Sequence, residues 1–137
     1  METVIADTGF VVALTNRSDV KHEVVKAIYL QQKKILLPQT VLAEVAYLIG
    51  REVGVITVAS FLKGLPMSRF SLLALLDEDI LRVAEILYQY ADSRIDFVDA
   101  SVMAVAERLN IVTVLTLDRR DFSLFRPRHC NGFVLIP

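Results

Sequence analysis

The chain has 137 residues, of which 54% are hydrophobic, a single cysteine and a formal net charge of −1 at pH 7. A chain of that size is expected to fold as one domain (1–137) and to bury roughly 65–70% of its unfolded surface, without help from a disulfide or a structural metal. Cys130 alone excludes an intrachain disulfide and a cysteine-based zinc site, and it fits a reducing cytoplasm; the near-zero charge argues against a strongly basic, nonspecific nucleic-acid binder.

Met1-Glu2-Thr3-Val4-Ile5 lacks a basic n-region and a long apolar run, so no secretory signal is expected at the start. No stretch approaches the roughly 20 apolar residues of a membrane span. Thr3–Ala6 reads as a short buried strand, turned by Asp7-Thr8-Gly9 into a short helix at Phe10–Leu14. A loop at 16–19 leads to a helix over 19–32, with Val20, Val24, Ala27 and Ile28 on one face. Lys34–Leu37 is a second strand, closed by Pro38. The spacing of Val41, Leu42, Val45, Leu48 and Ile49 predicts a helix over 39–52, with Gly54 as its C-terminal stop. Further helices are expected over 55–63, 80–90 and 97–109, the last opened by Asp96. Strands are expected at 70–75, 111–117 and 132–136.

Strands alternating with helices in this order imply an α/β fold with a central, mostly parallel sheet and helices on both faces. Ligands in such sheets bind beyond the carboxyl ends of the strands. Asp7 follows the first strand and Asp118 follows the strand at 111–117, so a parallel sheet brings both to one edge. Each alone reads equally well as a turn or cap residue. Glu44 is the only charge in Val41–Ile49; it lies either on an exposed stripe with Tyr47 and Arg51 or in a cleft. Asp99 is three residues after the expected cap Asp96, at the start of a helix whose next residues are small or apolar. Asp99 either complements the helix dipole or sits in a sheltered site.

Four converging carboxylates would be costly. One pair about 5 Å apart repels by roughly 3 kcal/mol at an effective dielectric near 20. A hard divalent cation offsets this, and an all-oxygen donor set suits Mg²⁺ or Mn²⁺. A metal-bound water of lowered pKa, with charge stabilisation at a phosphoryl oxygen, suits phosphodiester hydrolysis. Arg108, Arg119, Arg120, Arg126 and Arg128 would form a rim for a nucleic-acid backbone, with Arg119 and Arg120 nearest Asp118. Asp121 either joins the metal site or pairs with an arginine.

These residues carry a resemblance. Ile5-Ala6-Asp7-Thr8-Gly9, Val41-Leu42-Ala43-Glu44, Val98-Asp99-Ala100-Ser101 and Leu115-Thr116-Leu117-Asp118-Arg119-Arg120-Asp121-Phe122 occur in the order and spacing of PIN-domain ribonucleases. The likeness is to the VapC-type toxins of toxin–antitoxin pairs, and it extends through the tail from Arg126 to Pro137. The resemblance implies a three-layer α/β/α PIN-like domain and a Mg²⁺ or Mn²⁺ site on Asp7, Glu44, Asp99 and Asp118 that cuts RNA. It implies hydroxyl positions at Thr8 and Thr116. It implies a homodimer and a VapB-like antitoxin partner, for which the helices at 19–32 and 55–63 would form an apolar groove.

Three other readings compete. A non-catalytic PIN-like module binding RNA or protein usually lacks one of the acids. A phosphoryl-accepting receiver domain needs a late lysine, and none follows Lys63. A haloacid-dehalogenase-like phosphatase needs a second Asp at the position held by Gly9.

Overall fold

The computed structural model describes residues 2–137; Met1, part of the segment read above for a signal, lies outside them. Five parallel strands form one sheet, β1 (Val4–Ala6), β2 (Ile35–Pro38), β3 (Phe70–Leu73), β4 (Thr113–Leu115) and β5 (Val134–Ile136), in the order β3-β2-β1-β4-β5. The helices are α1 (Thr8–Thr15), α2 (His22–Gln31), α3 (Gln39–Glu52), α4 (Val55–Gly64), α5 (Asp77–Gln89), α6 (Phe97–Arg108) and α7 (Arg119–Leu124), with a 3₁₀ turn at Leu65–Met67. This is the α/β fold expected from the alternation of strands and helices. Every residue of β1, β2 and β4 is buried. A parallel sheet covered on both faces requires this, and it explains why these strands read as continuous Val/Ile/Leu runs rather than alternating ones.

The topology itself locates a crevice. From β1 the chain winds through β2 to β3 at one edge, then crosses back through α5 and α6 to β4 on the other side of β1. The strand order therefore reverses between β1 and β4, where such sheets open at their carboxyl ends. Asp7 stands there, its N–H donating to the Leu115 carbonyl at 2.9 Å.

Several boundaries differ from those expected, each for a local reason. α2 begins at His22 rather than Asp19, because Asp19 is spent on a turn in which its Oδ1 accepts the Lys21 N–H at 2.8 Å. β4 ends at Leu115 rather than Leu117: the buried Thr116 hydroxyl accepts the Asp118 N–H at 2.9 Å and bends the chain out of the ladder. α7 was not expected. Gly54 follows α3 with φ of +124°, a conformation that favours glycine, and its N–H donates to the Ile49 carbonyl at 3.0 Å.

α6 is buried from Ala100 through Ala106, its small side chains letting it lie close to the sheet. Ion pairs fasten it to α5. Arg82 grips Glu107 through two bonds of 2.7 and 3.1 Å, and Arg108 Nε meets Asp79 at 2.8 Å. Asp79 is 1% exposed and also accepts the Leu76 N–H at the start of α5, at 2.9 Å. Asp79→Ala should cost about 3 kcal/mol, because it strands a backbone donor and a partly buried guanidinium together. Urea unfolding would register that as a lower midpoint with an unchanged slope.

Candidate active site

Local structure places each acid. Asp7 occupies the N-cap position of α1, Asp99 is the third residue of α6, and Asp118 is the N-cap of α7. Three helix N-termini therefore converge on the carboxyl edge of the sheet, and their free N–H groups favour negative charge there. α6 starts with a reciprocal cap: Asp96 Oδ1 accepts the Asp99 N–H at 2.9 Å, and Asp99 Oδ2 accepts the Asp96 N–H at 3.1 Å. One oxygen of Asp99 is thus committed to the backbone. In α7, Asp118 Oδ1 accepts the Asp121 N–H at 3.2 Å.

The tightest grouping is Asp99, Asp118 and Asp121, each with one carboxylate oxygen within 4.8 Å of the others. Asp121 thus lies in the cluster itself, held 6% exposed by the turn of α7. Asp7, 5% exposed, is close enough to feel both Asp118 and Glu44, and Asp99 feels Asp7 in turn. Glu44 is half-buried on α3, so it belongs to the acidic neighbourhood rather than to a solvent stripe.

The electrostatics follow from this crowding. Burial pushes the Asp7 carboxyl up to about 6; bonds from the Thr8 backbone and the Thr116 hydroxyl oppose it, and Asp118 and Glu44 add to it. Burial likewise pushes Asp99 up to about 8, with Asp7 and Asp96 contributing repulsion. Asp121 is raised by burial and by Asp118, against the pull of Arg120 and Arg94. Among the described residues, no ion pair involves Asp7, Glu44, Asp99, Asp118 or Asp121.

Two hydroxyls attend the acids. Thr116 Oγ1 donates to Asp7 Oδ2 at 3.2 Å while accepting from the Asp118 N–H, tying the ends of β1 and β4 together. Thr116→Val keeps the shape and loses both bonds; it should cost about 1–2 kcal/mol and slow any chemistry at the site, whereas Thr116→Ser should restore both. Unfolding and activity assays on the pair would separate this from a packing effect. Thr8 Oγ1 is buried with no partner among the described residues. An orphaned hydroxyl beside crowded, unpaired carboxylates is a donor set that fits a hydrated hard cation such as Mg²⁺ or Mn²⁺, and no sulfur or imidazole is among the clustered donors.

The arginines divide. Arg119 donates to the carbonyls of Leu135, at 3.2 Å, and of Pro137, so it braces the C-terminal strand. Arg120 is exposed beside Asp121. Arg94, which the sequence reading did not single out, shares that neighbourhood. Its only signal in the sequence is its place two residues before Asp96.

A parallel sheet with a carboxylate cluster at the carboxyl edge of its reversal point defines a class: an α/β domain with an acidic site whose oxygen donors suit a hard cation. The comparisons with known proteins agree. The model of the PIN domain family matches residues 4–126, and the chain belongs to that family. It is 32% identical over 135 residues to Ribonuclease VapC26 of Mycobacterium tuberculosis, covering 98% of this chain and 100% of that one. The crystal structure of VapC20 from the same organism, described as a sarcin-ricin loop cleaving toxin, superposes with a TM-score of 0.82 at 22% identity, covering 94% of this chain and 99% of that one. VapBC2 of Rickettsia felis, solved bound to a DNA fragment from its promoter, gives 0.69 at 18% identity, covering 98% and 97%.

Proposed function

We propose that this chain is a divalent-metal-dependent endoribonuclease of the VapC type, acting on cytoplasmic RNA and restrained by a VapB-like antitoxin. The observation that carries the reading is the trio Asp99, Asp118 and Asp121 within 4.8 Å, without a paired cation, in a chain with a curated relative named as a ribonuclease. Asp7, Glu44, Asp99 and Asp118, with Asp121, would hold Mg²⁺ or Mn²⁺. The ion, when bound, supplies an activated water and charge stabilisation at the scissile phosphate. The chain's own residues do the rest. Thr116 fixes Asp7 against Asp118, the reciprocal cap fixes Asp99, and α7 turns Asp121 inward. Thr8, next to Asp7, carries a buried hydroxyl with no partner among the described residues.

The antitoxin surface we assign is a groove of about 850 Å³ between α2 and α4, with Leu14, Tyr29, Leu30, Phe61 and Phe70 in its lining and Arg17 and Lys26 beside them. An amphipathic, acidic segment suits that lining. We also infer a homodimer. Leu81 and Tyr88 on α5, 70% and 86% exposed, form an uncovered apolar face suited to it. No helix among the described residues is long and apolar enough to cross a membrane.

The test is incubation of the purified chain with total cellular RNA in Mg²⁺, Mn²⁺ or EDTA, followed by mapping of new 5′ ends. Discrete cuts that need metal are expected. RNA bound but left intact at saturating Mn²⁺ would favour the non-catalytic module instead.

A further inference from the structure

We propose that Arg94, with Arg120, grips the RNA backbone at the mouth of the carboxylate cluster, on a phosphate adjoining the one to be cut. The inference rests on the nuclease reading above and adds a substrate-binding residue to it. It begins with what the arginines are doing. Arg51, Arg82, Arg108 and Arg128 pair with carboxylates. Arg69, Arg119 and Arg126 donate to backbone carbonyls. Among the described residues, only Arg17, Arg94 and Arg120 make neither kind of bond. Two of those three are exposed and tied to the cluster by the chain, Arg94 two residues before the Asp96 cap bonded to Asp99 and Arg120 next to Asp121, and the charges of both act on Asp121. No lysine follows Lys63. The cations that the second half of the chain can offer a polyanion are therefore arginines, and these two are the uncommitted ones.

The backbone presents Arg94 rigidly. Ser93 Oγ donates to the Tyr90 carbonyl at 2.7 Å and accepts the Ile95 N–H at 3.1 Å, and Ile95 is buried. Arg94 thus projects from a short loop fixed on both sides, two residues before the cap that orients Asp99. Arg120 projects from the first turn of α7, two residues after Asp118. The two arginines are carried by different elements, one ahead of α6 and one at the start of α7. A planar guanidinium with free N–H groups recognises a phosphate by paired charge-assisted bonds. A site of clustered carboxylates needs such groups at its edge, because RNA arriving there otherwise meets like charge.

The test uses Asp99→Asn as a background that binds RNA without cutting it, and a short fluorescent single-stranded RNA of mixed sequence as the probe. Arg94→Gln in that background should weaken binding about tenfold and make the dependence on salt shallower, as loss of one phosphate contact does. Arg94→Lys should recover part of the affinity. Lys33→Gln, an exposed lysine before the amino end of β2, should leave binding unchanged. In the otherwise wild-type chain, Arg94→Gln should raise KM with little change in kcat. Unchanged RNA affinity would overturn the proposal, as would an equal loss with Lys33→Gln. A change in Mn²⁺ affinity alone would also overturn it, since that would make Arg94 a counter-charge to Asp121. A wild-type chain that never cuts would sink the nuclease reading, and the binding comparison would still decide whether Arg94 holds RNA.

Discussion

Asp99→Asn should lower RNA cleavage by at least about 10³-fold, equivalent to about 4 kcal/mol of transition-state stabilisation, while the protein stays folded. Both halves follow from the bonds of this side chain. Asp99 Oδ2 accepts the Asp96 N–H at 3.1 Å, and an asparagine carbonyl can accept the same bond. The Asp99 N–H still reaches Asp96 Oδ1, so the start of α6 stays capped. What disappears is one negative charge and one anionic oxygen from a trio that fits within 4.8 Å. Asparagine is a poorer ligand for a hard cation, and nothing else in the cluster would replace the lost charge. Circular dichroism should match the parent and the metal-free urea midpoint should be no lower, since the charge removed is one that burial disfavours, while the mapped RNA ends vanish. A fully active variant would mean that the chemistry lies elsewhere. A variant that has lost its fold would leave Asp99→Glu, which keeps the charge and displaces it, as the second measurement.

Much of the site was legible because parallel sheets send their strand ends to one edge. Asp7 and Asp118 could be paired from the positions of two apolar runs. Asp99 could be added from the Asp96 cap, and Glu44 from being the lone charge on a long apolar helix. α3 has the predicted bounds, 39–52, because Pro38 and Gly54 frame a strong apolar periodicity. α7 was not legible. Six residues are too few to establish a period, and Thr116 reads as an ordinary β-branched strand residue, so the local turn in which its hydroxyl accepts the Asp118 N–H gives no clear signal of a helix to follow. Without α7 nothing decided between the metal site and an arginine partner for Asp121, so both stood open. The same blindness applies to the arginines. Arg119 and Arg120 are adjacent in sequence, yet one is spent on the carbonyls of Leu135 and Pro137 while its neighbour faces Asp121. Which arginine is committed is a tertiary fact.

Asp7→Asn should stabilise the metal-free protein at pH 7.5 by up to about 3 kcal/mol while removing its activity. Burial holds the Asp7 carboxyl at about 6 against an ordinary value of 3.8. The folded state therefore binds this proton more tightly than the unfolded state does. The associated stability is fully present below pH 3.8 and is lost as pH rises through about 6, so at pH 7.5 the ionised Asp7 works against the fold. Asp99 acts in the same direction and carries the decline on to about pH 8. Glu107 sets the acid side. Burial pushes it up, but the Arg82 bonds and the Arg128 N–H outweigh that and leave it below the ordinary carboxylate range. Its contribution is present above 4.5 and is lost as pH falls through its lowered value. In EDTA the protein should therefore be most stable in mildly acid solution and lose thermal stability from pH 6 to 8.5. Asparagine at position 7 keeps an acceptor for the Thr116 hydroxyl and removes the charge, so this variant's curve should fall less steeply. Mn²⁺ should reverse the trend in the parent, raising Tm more at pH 8.5 than at pH 6, because cation and protons compete for the same carboxylates. A metal-free Tm that is flat or rises over this range would mean that the acids are solvated and independent. A cluster strained without its cation, and relaxed by asparagine at the cost of catalysis, is what a metal-dependent site of this construction requires.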